Sequence, residues 1–385
     1  MDRELALKFV TDLLRAMMQK NSSDLFLTVG FAPAMKIDGK VQPVSNQKLE
    51  AAHTEMFARA IMNDKQAAEF ERTSECNFAI APAGVGRFRV NAFIQQGKTG
   101  LVLRLINTTI PEFDDLGLPH VLKDVALTKR GLVVFVGGTG SGKSTSLAAM
   151  VGHRNSNTQG HIITIEDPIE YVHEHRKCII TQREVGVDTS DWFSALKNTL
   201  RQAPDVILIG EIRDRETMEY AMAFAETGHL CMSTLHANSS NQALDRIINF
   251  FPEEKKQQLL MDLSLNLKGF ISQRLVPHAR GVGRVAAIEI LLNSPLVSDL
   301  IFKGDVHQLK ETMKQSKEAG MQTFDMHLFD LYEAGSITYE EALRNADSVN
   351  DLRLRIKLEG AESKGRSVID TFGGLSIQSD EPRKF

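Results

Sequence analysis

The chain has 385 residues, which at roughly 150 residues per domain predicts two or three domains. Charged residues make up 24% and the hydrophobic set 42%, values that are ordinary for a soluble globular protein and sufficient for a sizeable core. The formal net charge is −4, so no overall positive charge points to a nucleic-acid partner, although an acidic average still leaves room for a local basic groove.

The cysteines and the N-terminus bear on the cellular compartment. Cys76, Cys178 and Cys231 lie far apart, which argues against a disulfide scaffold, and no CxxC pair is present to bind zinc. Residues 1–5 mix charges and do not begin an apolar signal core. No window approaches the roughly 18–20 consecutive apolar residues that span a bilayer. We therefore expect a cytoplasmic protein that reaches a membrane only through a partner.

The first third of the chain mixes helical and strand patterns. Apolar positions recur at helical spacing over residues 1–20, and residues 48–72 predict a second helix. We predict a small α+β N-terminal domain over residues 1–107, followed by a Pro- and Gly-punctuated linker over 108–120. The predicted strands are Asp24–Val29, the hairpin Met35–Val41, Gly86–Gln95 and Gly100–Ile106.

From about Val121 strands alternate with helices, a pattern typical of a parallel sheet in an α/β fold. We predict this second domain over residues 121–358 and a flexible tail, rich in Gly, Ser and charge, over 359–385. The predicted strands are Gly131–Gly137, His161–Ile165, Val206–Ile209 and Leu230–Leu235. The predicted helices are Leu147–Val151, 253–276 and 306–333.

The strongest chemical signal is a phosphate-binding loop of the form G-x-x-x-x-G-K-[ST]. It lies after an apolar strand and before a helix, where backbone N–H groups and the helix N-terminus can surround phosphate oxygens. Lys143 is expected to reach the β- and γ-phosphates and Ser144 to offer its hydroxyl to Mg²⁺. The expected ATP-binding residues are Gly137, Gly138, Thr139, Gly140, Ser141, Gly142, Lys143, Ser144 and Thr145.

Two groups of acids follow predicted strands. Glu211 is the second residue after the strand Val206–Ile209, the pattern of a Walker B carboxylate beside Mg²⁺, with Gly210 where many P-loop proteins have Asp. Glu166, Asp167 and Glu170 form an acidic box after the strand His161–Ile165, where a carboxylate can activate the attacking water. A solvated acidic turn is the alternative for the box, and spacing does not decide which acid is the base.

Histidines and arginines complete the candidates. His229 and His236 flank the strand Leu230–Leu235; no further ligands at suitable spacing support a metal site, so we favour a γ-phosphate sensor over ordinary core histidines. Arg89 and Arg104 lie on predicted N-terminal strands. Arginines of this kind are usually solvated or salt-bridged, but in a ring of subunits one can reach a neighbour's phosphates.

The order of these motifs resembles the secretion ATPases of type II secretion, type IV pili and type IV secretion. The P-loop, T-I-E-D-P-I-E, G-E-I-R-D and A-E-T-G-H…T-L-H carry the resemblance, which extends over about residues 20–357 and is strongest to the pilus retraction branch. It implies a PAS-like N-terminal domain, a RecA-like P-loop NTPase core and a homohexamer.

The resemblance also implies residue roles and partners. Glu170 becomes the water-activating acid, Glu211 the Mg²⁺-side acid, and His229 and His236 a histidine box, while Arg89 and Arg104 match arginines that act across subunit boundaries. The implied partners are a paralogous retraction ATPase and the inner-membrane pilus platform protein, with no direct nucleic acid. Residues 296–303 keep only part of a late helix motif of the principal retraction ATPase, which favours an accessory motor.

Two other functions remain open at the level of sequence. A nucleic-acid translocase could use the same core, but strand tracking needs phosphate neutralisation and stacking aromatic residues, for which no basic, aromatic-lined groove is evident. A regulatory protein that binds ATP and hydrolyses little is disfavoured by the intact candidate acids. Stimulation of ATP hydrolysis by single-stranded DNA would indicate the translocase, and ATP turnover too slow to measure would indicate the regulatory protein.

Overall fold

The computed structural model describes residues 2–37, 39–106 and 109–360. The tail predicted over 359–385 therefore lies outside the described residues from residue 361 onward. The predicted hairpin at residues 35–41 forms between two paired strands, with Asp38 of its turn outside the described part.

The N-terminal part is a six-stranded antiparallel sheet with three helices. Its strand order is β3-β2-β1-β6-β5-β4. The elements are α1 Arg3–Gln19, β1 Asp24–Leu27, β2 Ala34–Ile37, β3 Lys40–Pro43, α2 Ala51–Ile61, α3 Asp64–Thr73, β4 Glu75–Ile80, β5 Arg87–Gln95 and β6 Lys98–Ile106.

This N-terminal sheet has its own apolar core. Leu14 and Met17 on α1, Phe57 on α2, and Phe88 and Leu103 on β5 and β6 belong to one buried cluster. The alternating residue types from which β5 and β6 were predicted correspond to side chains that point in turn into this core and to the other face of the sheet.

A second sheet has seven strands in the order β13-β12-β7-β11-β10-β8-β9. The strand pairs β10–β11, β10–β8 and β8–β9 are parallel, whereas β12 and β13 are antiparallel. The elements from residue 121 on are α4 Val121–Leu127, β7 Gly131–Val136, α5 Lys143–Asn157, β8 Gly160–Glu166, β9 Cys178–Glu184, α6 Trp192–Thr199, β10 Val206–Ile209, α7 Arg215–Glu226, β11 Leu230–Leu235, α8 Ser240–Asn249, α9 Glu253–Asn266, β12 Leu267–Pro277, β13 Arg284–Leu292, α10 Pro295–Lys303, α11 Leu309–Gln315, α12 Phe324–Glu333, α13 Tyr339–Asn345 and α14 Val349–Glu359.

The long helix predicted over 253–276 is wrong in its second half, because α9 ends at Asn266 and β12 begins at Leu267. Apolar residues here happen to fall at helical spacing, but pairing with β13 decides the conformation. Gly269 permits this pairing: a Cβ there would lie 2.7 Å from the carbonyl oxygen of Leu291.

Two other predicted helices are each divided. The helix predicted over 48–72 is α2 and α3, because Asn63 accepts a hydrogen bond from the backbone N–H of Gln66 and starts a new helix. The helical region predicted over 306–333 contains α11, which ends at Gln315, and α12; between them a short 3-10 helix, Lys317–Ala319, ends at Gly320, whose φ is +86°.

By its contacts the described chain falls into two compact units. Among the described residues, the first comprises those within 2–115, 120–134 and 144–235, and the second 116–119, 135–143 and 236–360. The acidic box, Ser144 and Glu211 therefore belong to the first unit, whereas the loop 137–143 and His236 belong to the second. The domain boundaries predicted from the sequence stay predictions. No described helix combines the length and hydropathy that crossing a bilayer requires.

Candidate functional site

The glycine-rich loop begins where the fully buried strand β7 ends. At Gly137 a Cβ would overlap the side chain of Ser141 and lie 2.7 Å from the carbonyl oxygen of Gln273, so only glycine fits. Gly140 and Gly142 have φ values of +76° and +88°, which other residues rarely adopt. The loop therefore depends on glycine for both space and backbone conformation.

Lys143, the first residue of α5, is held inside the loop. Its side chain is buried, and its Nζ donates hydrogen bonds to the carbonyl oxygens of Gly137 at 2.8 Å and Gly138 at 2.9 Å. A phosphate group offers the ammonium group oxygen acceptors that carry a negative charge. Hydrogen bonds between two charged groups can therefore replace these bonds to uncharged carbonyl oxygens.

His236 and the phosphate loop line one surface cavity. Asn238, Gln242 and Arg246 line it together with Gly138 and His236. Arg246 on α8 donates from Nη1 to the carbonyl oxygen of His236 at 2.7 Å, which fixes the backbone that carries the imidazole. The structure thus brings one predicted histidine beside the predicted ATP-binding loop.

His229 occupies the other end of the same strand. It precedes β11, whereas His236 follows it, so six extended residues, or roughly 20 Å, separate the two histidines. The His229 Nδ1 lies 3.1 Å from the Thr227 hydroxyl oxygen and 3.2 Å from the Phe224 carbonyl oxygen. The two histidines therefore do not form one cluster within a chain, and the role predicted for His229 stays a prediction.

The start of α5 and the acidic box share a second cavity. Ser144, Glu166, Glu170 and Tyr171 line it, as does Gly210 after β10. These residues lie where β8 and β10 end, which is the sheet edge that binds ligands in open α/β folds. The structure thus brings Ser144 and Glu170 to one place, as the sequence predicted.

Thr145 contacts Tyr171, one of the residues that line this cavity. Its hydroxyl and the Tyr171 hydroxyl are hydrogen-bonded at 2.8 Å, which joins α5 to the segment after the acidic box. Thr139 on the loop and Ser144 in the first turn of α5 are exposed and available to a ligand.

Glu166 is the carboxyl group of the box whose acidity is most altered. Burial raises its pKa from the ordinary 4.5 to about 7, against the opposite effect of hydrogen bonds donated by Thr164 at 2.6 Å and Gln182 at 3.3 Å. A carboxyl group that titrates near neutral pH can hold or release a proton beside a reacting water.

Glu211 belongs to a short ionic network. Arg213 donates from Nε to Glu211 Oε2 at 2.9 Å and from Nη1 to Asp167 Oδ2 at 3.2 Å. On the other side of Asp167, Arg89 Nη2 lies 3.9 Å from Oδ1. The hydrogen bond to Glu211 and the negative charge of Glu211 raise the pKa of Arg213 above its ordinary value. One guanidinium group thus holds both Glu211, the predicted Walker B acid, and Asp167 of the acidic box.

Gly210 has a structural reason to replace the more usual aspartate. A Cβ at Gly210 would lie 3.2 Å from Glu166 Cα, because β8 and β10 approach closely where they end. A longer side chain would displace the acidic box. In this chain the carboxylate is instead supplied by the next residue, Glu211.

The two candidate arginines lie side by side. Arg89 and Arg104 are directly opposed on β5 and β6, where like charges repel. Asp24, which opposes Arg104 from β1, accepts a hydrogen bond from Arg104 Nε at 2.8 Å, and its carboxylate is buried. The structure therefore brings Arg104 into a salt bridge within its own sheet.

The residues around the second cavity suit Mg²⁺. The hydroxyl of Ser144 and the carboxylates beside it are hard oxygen donors, and Mg²⁺ typically takes one or two protein oxygens plus substrate phosphates and water. Ser144 lines this cavity, and Glu211 follows Gly210, which also lines it; the assignment of Ser144 and Glu211 as the residues that would hold the ion stays a prediction.

Three positioning groups were missed at the sequence level. Arg213 contacts Glu211, and Tyr171 contacts Thr145. Glu184 on β9 accepts a hydrogen bond at 3.3 Å from the backbone N–H of Ile169, the residue before Glu170. Burial raises the pKa of Glu184. Arg213 had a signal, since it lies two residues after Glu211, whereas Glu184 became a candidate only when β9 was paired with β8.

The loop, the acids and the parallel strands together define a P-loop ATPase. Comparison with known proteins specifies the class. The chain matches the family model described as "Type II/IV secretion system protein" over residues 1–344. The chain belongs to this family, and it is accordingly a nucleotide-binding ATPase.

Individual relatives refine the comparison. The chain is 59% identical over 372 residues to the type IV pilus ATPase PilU of Pseudomonas aeruginosa, covering 96% of this chain and 97% of PilU. It is 43% identical to the retraction ATPase PilT of the same organism, covering 88% and 98% of the two chains.

A crystal structure of the pilus retraction motor PilT with bound ADP aligns with a TM-score of 0.83 and 39% identity, covering 90% of this chain and 99% of that one. The predicted fold class is confirmed: an α/β RecA-like P-loop core with a smaller α+β, PAS-like N-terminal domain.

Proposed function

We propose that this protein is a Mg-ATP-hydrolysing motor that powers or assists the retraction of type IV pili, as an accessory to a PilT-like retraction ATPase. The names of its relatives PilU and PilT, at 59% and 43% identity over most of the chain, support this function. The observation that carries the catalytic part is that Ser144, Glu166 and Glu170 line one cavity at the ends of parallel strands.

Each predicted residue has a role in this proposal. Residues 137–145 bind the phosphates of ATP, with Lys143 transferring its hydrogen bonds from loop carbonyls to the β- and γ-phosphates. Ser144 and Glu211 would hold Mg²⁺, which would neutralise charge on the phosphates. Glu170 orients and deprotonates the attacking water, and His236 reports the γ-phosphate from its cavity beside Gly138.

The remaining roles require an assembly. We propose a homohexamer in which Arg89 and Arg104, opposed on neighbouring strands, supply positive charge to the phosphates of an adjacent subunit. His229 then acts as the second histidine of the box. In this arrangement Arg104 exchanges its bond with Asp24 for the neighbour's nucleotide.

The proposed place of action is the cytoplasmic side of the inner-membrane pilus platform. Nucleotide binding and release would move the N-terminal domains against neighbouring ATPase domains and so turn the platform protein. Direct nucleic-acid contact plays no part in this function.

The decisive experiment replaces Lys143 with Ala in the native chromosome and follows fluorescently labelled pili with and without a bead load. We expect pili that still extend but retract weakly or not at all, because the phosphates lose their lysine. A deficit confined to loaded pili identifies the accessory role.

A matched variant, Lys98→Ala in the N-terminal sheet, controls for protein level and the loss of a lysine. Retraction that is unchanged at all loads in Lys143→Ala contradicts the proposed motor. Phosphate release by the purified proteins shows whether Lys143→Ala has lost ATP hydrolysis.

A further inference from the structure

Gln273 on β12 is a buried polar side chain that none of the predicted roles uses. Only 2% of its surface is exposed. Its Nε2 donates a hydrogen bond to the carbonyl oxygen of Ser141, in the middle of the phosphate loop, at 3.0 Å. Because the loop has few side chains of its own, this hydrogen bond is a direct constraint on the backbone of the loop.

The backbone of Gln273 contacts the loop at a second point. Its carbonyl oxygen is 2.7 Å from the position that a Cβ on Gly137 would take. The Gln273 amide is equally close to the corresponding position on Gly142. One residue of β12 therefore packs against both the beginning and the end of the glycine-rich segment.

The strand beneath Gln273 is rigidly supported. β12 pairs with β13 along its length, with Gln273 opposite Ile288. The neighbouring side chain, Ser272, points to the other face and donates to the buried carboxylate of Glu289 at 3.1 Å. Gln273 thus faces the loop from a strand that is hydrogen-bonded to its neighbour β13.

The bond to Ser141 determines the direction of a phosphate-binding N–H. The peptide unit between Ser141 and Gly142 is planar and trans, so its C=O and N–H point in opposite directions. Holding the Ser141 oxygen against β12 turns the Gly142 N–H away from β12, toward the open side of the loop. The positive φ of Gly142 makes the loop backbone otherwise easy to rotate.

We propose that Gln273 is a positioning residue for phosphate binding, which keeps the loop in the conformation that receives ATP before ATP arrives. It touches the loop and not the reacting atoms. The inference rests on the proposed use of this loop for ATP. If the competent loop conformation becomes less populated, the apparent dissociation constant rises in proportion.

The test compares Gln273→Met, which keeps the length of the side chain but removes the donor, with wild type. The full-length protein is titrated with ADP and Mg²⁺ by calorimetry, and unfolding by urea is measured without nucleotide. We expect the Kd for ADP to rise about fivefold to tenfold, the effect of one lost hydrogen bond. In hydrolysis assays the KM for ATP should rise while kcat at saturation changes less than twofold.

Gln322→Met is the matched control. Gln322 donates the same type of bond, from Nε2 to the carbonyl oxygen of Ile288 at 2.9 Å, but contacts β13 and not the loop. It should lower the free energy of unfolding to a similar extent and leave the Kd for ADP unchanged. Gln273→Asn, too short by one methylene to reach Ser141, provides a second variant if Gln273→Met does not fold.

The outcomes separate this inference from the proposed function. Weaker ADP binding in both Gln273 variants, but not in Gln322→Met, supports the positioning role. Unchanged binding in the Gln273 variants, or equal weakening in Gln322→Met, overturns it while leaving the ATPase assignment intact. A wild-type protein that binds neither ADP nor ATP would instead contradict the proposed function.

Discussion

The phosphate loop and the acid network at Glu211 are shaped by different forces. The loop is held without ion pairs among these contacts: by glycine conformations, by carbonyl oxygens that accept hydrogen bonds from Lys143, and by the side-chain amide of Gln273. The acid network is held by charges, since Arg213 joins Glu211 to Asp167 and burial alters the acidity of Glu166. Steric substitutions should therefore damage the loop, whereas charge substitutions and pH should affect the acids.

The largest expected effect tests the steric side of the comparison. Gly137→Ala introduces a Cβ 2.7 Å from the Gln273 carbonyl oxygen, so we expect a loss of about 2 kcal/mol in the free energy of unfolding and no measurable ADP binding. Urea unfolding and calorimetry measure the two effects. Gly138→Ala is the stability control, because a Cβ there has nothing within 4 Å; equal destabilisation of both variants would contradict the steric account.

The next effect tests the charged side. Arg213→Gln removes the guanidinium that orients Glu211, so we expect kcat for ATP hydrolysis to fall about tenfold, with the Kd for ADP nearly unchanged. Steady-state phosphate release gives kcat. Arg215→Gln is the control, since Arg215 pairs with Glu219 on the surface of α7. A rise in Kd with unchanged kcat would show that Arg213 serves binding and not the chemistry.

A smaller effect depends on pH. The pKa of Glu166 is about 7 in the folded chain and 4.5 ordinarily, so the unfolded chain ionises first and stability from this group is lost as pH rises from 4.5 to 7. Glu166→Gln removes that loss. We expect the variant to match wild type at pH 4.5 and to become more stable than wild type as the pH rises to 8, measured by urea unfolding without nucleotide or Mg²⁺. A difference that is independent of pH would refute this.

The smallest effect concerns the arginine pair. Arg104 is largely exposed although Asp24 is buried, so a double-mutant cycle of Arg104→Gln and Asp24→Asn should give a coupling free energy of about 0.5 kcal/mol. Thermal or urea unfolding of the four proteins measures it. A coupling near zero would mean that Arg104 is not committed to Asp24 in the isolated chain and is free for another partner.

Motifs that are contiguous in sequence were predictable. The phosphate loop, β10 with Glu211, and the acidic box are each short segments that follow an apolar strand, and parallel strands bring their ends to one edge. The shared cavity of Ser144 and Glu170 follows from that rule. Gln273 was missed because β12 was predicted to be helical, and a residue on a wrongly assigned element cannot be placed against the loop.

The sequence by itself determined the class of the protein, because the glycines, Lys143 and Ser144 must be adjacent in the chain for one turn to surround a phosphate. Only the tertiary structure decided how that turn and the acids are held. It paired β12 with β13 under the loop and placed Arg213 between two carboxylates. The physical reason is that strand pairing and burial depend on residues distant in sequence, which no local pattern contains.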